Sequence, residues 1–68
     1  MTTWAYVQAI VDNDFVGGQK PGETLPVSFR HMSVQAENES AAYSAGHLWS
    51  EAQDNTKVSL LNDYVFTI

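Results

Sequence analysis

The pattern of apolar and polar positions gives four or five elements, with turn-forming punctuation at residues 12–26 and 54–57. Residues 4–11, Trp-Ala-Tyr-Val-Gln-Ala-Ile-Val, are β-branched, aromatic or small and read as a strand. Ala5, Val7, Ala9 and Val11 fall on one face and Trp4, Tyr6, Gln8 and Ile10 on the other. Both faces are mainly apolar, the pattern of a central strand covered on two sides. Gly17, Gly18, Pro21 and Gly22 then form a long connection. A second strand is expected over 25–36, where the apolar phase slips. Leu25, Val27 and Phe29 share one parity and Met32, Val34 and Ala36 the other. A bulge near Arg30 or His31 would repair the slip, and a bend serving two surfaces is the alternative.

Helical spacing begins after Asn38, an N-cap residue type, with Glu39 suited to the positive first turn. A helix is expected over 39–53, its apolar stripe formed by Ala41, Ala45, Leu48 and Ala52 with Ala42 and Trp49 beside it. Gly46 inside a helix costs about 1 kcal/mol relative to alanine. It therefore reads as a point of close approach to a sheet. Asn55 is suited to the left-handed conformation that ends a helix. Residues 58–68 alternate cleanly, with Val58, Leu60, Tyr64, Phe66 and Ile68 on one face. One long strand is expected there, with its end held in the sheet; a hairpin turning at Asn62-Asp63 is the alternative.

The order strand, strand, helix, strand predicts a single α+β domain, ββαβ, spanning residues 1–68. A glycine-rich loop joins an antiparallel pair, and a right-handed helical crossover sets the last strand parallel to the second. Pairing of the last strand with the first gives a three-stranded, mainly antiparallel sheet of order 2-1-3. One helix covers one face and leaves the other bare. Small residues on both elements permit close approach, so the Ala/Val set of the first strand is expected beneath the helix. Trp4, Tyr6 and Ile10 would then occupy the open face, joined by Phe29 and by Leu61 or Phe66 according to register. An exposed apolar patch of that kind marks an interface unless the long loop or a fourth strand covers it.

Composition sharpens the picture. With 68 residues and no cysteine, the domain has neither a large core nor disulfides, and oligomerisation is the first stabiliser to expect. Eight acids against three bases, a net charge of −5, argue against nucleic acid, because only Lys20, Arg30 and Lys57 could meet phosphate. Such a surface suits basic proteins, or solubility alone. No run of about 20 apolar residues suggests a membrane span. Met1-Thr2-Thr3-Trp4 lacks the features of a secretory signal, so a cytoplasmic location is the default expectation.

Chemical motifs are sparse. Counting Asp12 as position 1 of an EF-hand loop places Asp14, Gly17 and Glu23 at positions 3, 6 and 12. Val16 then occupies a ligand position, Pro21 interrupts the loop and strands flank it, so a turn held by local Asp and Asn bonds is the simpler reading. His31 and His47 come with no third ligand for zinc and no nucleophile signature. His47 is placed on the helix near Tyr43. The glycines join two strands and so lack the helix N-terminus that phosphate binding uses. No catalytic residue, metal or cofactor is assigned. The topology carries Asp12, Asp14 and Glu23 to the same end of the sheet as Glu51 and Asp54, an acidic rim that could steer a basic partner.

The expected function is a small acidic protein-binding module, an inhibitor or adaptor, that docks through the open sheet face. Its partner surface would comprise Trp4, Tyr6 and Ile10 with Asp12, Asp14, Glu23, Glu51 and Asp54. The chain resembles phage-encoded inhibitors of host or CRISPR machinery in size, charge and strand order only; no motif carries the likeness, and no family follows from it. A self-assembling structural subunit, a homodimer or larger, is the alternative. An enzyme or small-ligand protein would need a pocket that one helix on three strands rarely encloses.

Overall fold

A computed structural model describes residues 1–12 and 27–68. Strand β1 spans Thr2–Asp12, β2 Ser28–Ala36, helix α1 Glu39–Glu51 and β3 Val58–Thr67. The sheet order is β2-β1-β3, and β1 is antiparallel to both neighbours. The expected ββαβ architecture is therefore present, with the doubly apolar strand in the centre. The last segment is one strand rather than a hairpin at Asn62-Asp63.

Register determines which side chains share a face. Along β2 the pairing is continuous from Thr2 opposite Ala36 to Ile10 opposite Ser28. The bulge anticipated near Arg30 is absent; it lies in β3 instead. Ala9 pairs with Asn62 and Ile10 with Leu60, which leaves Leu61 as the extra residue. Side chains N-terminal to Leu61 thus change faces relative to those that follow it. Val58 and Leu60 lie on the side of Ile10 and Asp12, whereas Tyr64 and Phe66 lie opposite Val7 and Ala5.

Helix α1 starts as expected. The Asn38 side chain accepts the Ala41 amide at 2.8 Å, satisfying one of the free donors of the first turn. It ends at Glu51, two residues short of expectation, with Ala52 as C-cap in the right-handed conformation. Asn55 contributes through its side chain, whose Nδ2 donates to the Ser50 and Gln53 carbonyls at 2.8 and 3.2 Å. The buried residues of α1 are Ala42 and Gly46, flanked by half-buried Tyr43, Ala45, Trp49 and Ser50. The stripe is rotated from the expected one: Leu48 is 69% exposed, and Ala41 and Ala52 are also exposed.

The rotation follows from what lies beneath. Tyr6, fully buried, sits under Gly46, and its ring meets Tyr43, His47 and Trp49 edge-on at centroid distances of 6.3, 5.9 and 6.1 Å. The helix therefore covers the Trp4, Tyr6, Gln8 and Ile10 face and not the Ala/Val face, the reverse of the expected arrangement. A Cβ at residue 46 would overlap the Tyr6 ring carbons. Glycine is thus required for the approach, as its position in the helix suggested. Gly46→Ala should gain about 1 kcal/mol of helix propensity and lose about 1–3 kcal/mol to overpacking, a net loss by urea denaturation. A variant more stable than the wild type would refute this packing.

Candidate functional site

On the face away from α1, the central strand contributes small side chains: Ala5 and Val7 are buried and Ala9 half-buried. Their neighbours on β3 are Phe66, Tyr64 and Asn62, and on β2 Ser33, His31 and Phe29. The β3 side chains stand in a row. Tyr64 and Phe66 stack with ring centroids 6.1 Å apart, and Ile68 continues the same face, its amide bonded to the Thr3 carbonyl at 3.0 Å. Much of the row is open to solvent, with Tyr64 43%, Phe66 49% and Ile68 73% exposed; Phe29, across the sheet, is 63% exposed. The result is a shallow trough of small residues between an aromatic ridge and a lone phenylalanine.

The helix side holds a chain of polar contacts. Tyr6 Oη donates to Asp63 Oδ2 at 2.8 Å and accepts from Gln8 Nε2 at 2.9 Å. Gln8, buried, also donates to Ser50 Oγ at 2.8 Å, and its Oε1 accepts from Arg30 Nε at 2.6 Å. Arg30 Nη2 reaches Asn55 Oδ1 at 2.6 Å, while its guanidinium lies 5.7 Å from the Trp49 ring centroid. At the other end His47 Nε2 stands 3.1 Å from the same Asp63 oxygen. This network ties β1, β2, β3 and α1 together across the sheet. Among the described residues, no buried side-chain polar atom lacks a partner.

A Tyr-Asp-His sequence of hydrogen bonds has the elements of a proton relay, yet Tyr6 is fully buried and each of its hydrogen bonds is satisfied internally. The enclosed hydroxyl thereby links β1 to β3 and, through Asp63 and His47, to α1. Burial first, and then the bond to Asp63, raise the Tyr6 pKa above the ordinary phenol value. Asp54, fully exposed, is pulled below the usual carboxylate range by the side chain and then the backbone amide of Thr56.

The expected partner residues are redistributed. Trp4, Tyr6 and Ile10 belong to the helix side, and the Trp4 indole donates to the Ala36 carbonyl at 3.2 Å. Asp12, Glu51 and Asp54 are exposed, and the topology carries them to the same end of the sheet. Asp14 and Glu23, the remainder of the calcium-like loop and the glycine-rich connection lie outside the described residues. His31 and His47 occupy opposite sides of the sheet, and no cluster of three metal-ligating residues occurs among the described residues. Sequence reasoning grouped Tyr64, Phe66 and Ile68 correctly but missed that a bulge separates them from Val58 and Leu60. The pairing of Asp63 with Tyr6 and His47 carried no sequence signal, because it joins residues 57 and 16 positions apart.

No family model, curated protein or solved structure matches the chain.

The raised Tyr6 pKa sets a direction for alkaline pH. A group whose folded-state pKa is raised stabilises the fold below its unfolded pKa and loses that contribution as pH climbs through the folded value. Stability should therefore fall as pH rises above about 10, the ordinary phenol pKa. Tyr6→Phe should cost about 1–2 kcal/mol at neutral pH and show a shallower alkaline decline by urea denaturation. An unchanged alkaline slope would assign the decline to other groups.

Proposed function

We propose that the chain is a non-catalytic protein-docking module whose contact surface is the sheet face opposite α1. The observation that carries this reading is the exposed set Phe29, Tyr64, Phe66 and Ile68 around the small residues of β1. Burying such side chains yields about 25 cal/mol per Å² of apolar surface, and aromatic anchors dominate binding energetics at interfaces. The helix side also exposes Leu48 and Leu60, but its aromatic rings already pack on one another and its polar groups are engaged. Inhibitor and adaptor roles both fit a domain that acts by occupying a partner's surface.

The test compares retention of associated protein, own copies included, by immobilised wild type, Tyr64→Ser/Phe66→Ser and the helix-surface control Leu48→Ser. Open-face substitution should abolish retention at unchanged circular dichroism, while the control should behave as wild type. Equal retention by all three forms would remove this face from the function.

A further inference from the structure

We infer that the occupant of the open face is a second copy of this chain, packed sheet against sheet about a two-fold axis. The inference rests on the docking reading above and names its partner. Its first support is the placement of charge. Through the described residues the face opposite α1 runs Thr3, Ala5, Val7 and Ala9 on β1, with Val11 fully buried at its end, and Phe29, His31, Ser33 and Gln35 on β2. On β3 it continues through Ser59, Asn62, Tyr64, Phe66 and Ile68. No Asp, Glu, Lys or Arg occurs in that set, although the chain carries a net charge of −5. Arg30 and Asp63, the charged residues within β2 and β3, both point to the helix side. Asp12 ends β1 on that side as well, and Glu37, Glu39, Glu51, Asp54 and Lys57 lie outside the strands.

A charged partner would find no complement on this surface, since steering and specificity by charge need opposite charges facing each other. A copy of the same acidic chain meets the contrary requirement. Like charges must stay away from the contact for self-association to succeed, and among the described residues they do.

The second support is shape. An isologous interface must be self-complementary, with projection and recess on the same surface. The Tyr64, Phe66 and Ile68 ridge lies beside the Ala5, Val7 and Ala9 trough. A two-fold rotation lays each ridge in the partner's trough, in the face-to-face geometry of packed sheets about 10 Å apart. Size bounds the contact area. Three strands about 4.8 Å apart and roughly 30 Å long give a projected footprint on the order of 400 Å². Standing side chains enlarge that area, which remains at the small end of specific interfaces, near about 1,000 Å² in total. Association is accordingly expected in the micromolar range.

Sedimentation velocity of the full chain from about 10 µM to about 1 mM tests this, as the span covers such affinities. A monomer–dimer equilibrium is expected, weakened roughly 100-fold or more in Tyr64→Ser/Phe66→Ser and unchanged in Leu48→Ser. Phe29→Ser, on the opposite edge strand, serves the same purpose if the double variant fails to fold, and should also weaken the dimer. A wild type that stays monomeric across the range overturns the inference, as does a dimer indifferent to all these substitutions. Retention of another protein that depends on the open face, by a strictly monomeric chain, would overturn the second copy while leaving the docking reading intact. A monomer with no such retention would overturn both.

Discussion

The fold turns on one contact: the Tyr6 ring lies against the backbone of α1 where Gly46 has no side chain. A domain with so small a core gains most from a single large aromatic that is completely enclosed. Tyr6 fills that role, with rings of Tyr43, His47 and Trp49 meeting its edges. The same residue needs a partner for its hydroxyl, because an unsatisfied buried polar group costs about 1–3 kcal/mol. Asp63 and Gln8 supply one, and from them the network spreads to Arg30, Ser50, Asn55 and His47. Position of the helix, choice of sheet face and the polar chain thus share one origin.

The bulge at Leu61 does comparable work for the other face. Strict alternation through β3 would put Tyr64 and Phe66 on the same side as Val58 and Leu60. One extra residue divides them. Val58 and Leu60 accompany Ile10 on the helix side, Asp63 turns toward Tyr6, and the aromatic pair turns outward. A charged residue is thereby placed where hydrogen bonds await it, and apolar ones on the face opposite α1.

The two faces of the sheet consequently differ in kind. One is filled by aromatic rings and an engaged polar network beneath α1. The other has a low central strand and an exposed ridge, and among the described residues it carries no Asp, Glu, Lys or Arg. Tyr6 and the polar network hold the helix side, whereas the other face buries Ala5, Val7 and Val11 beside an exposed ridge, and that ridge is the surface proposed to bind.

From the sequence alone come the elements and their order. Alternation marked β1 and β3, Asn38 and the helical spacing marked α1, and the doubly apolar first strand implied its central place. Gly46 was legible as a close approach because glycine within a helix has a cost that packing must offset. What the sequence left open was which face of β1 that glycine would meet. Matching small residues to small ones pointed to Ala5, Val7 and Ala9; instead a hole in the helix surface receives the Tyr6 ring, the largest fully buried side chain among the described residues. Periodicity assigns residues to faces in pairs and is silent on which pair is covered. Volume complementarity between elements makes that choice, and the bulge carries it through β3, because both depend on residues that meet only when the chain is folded.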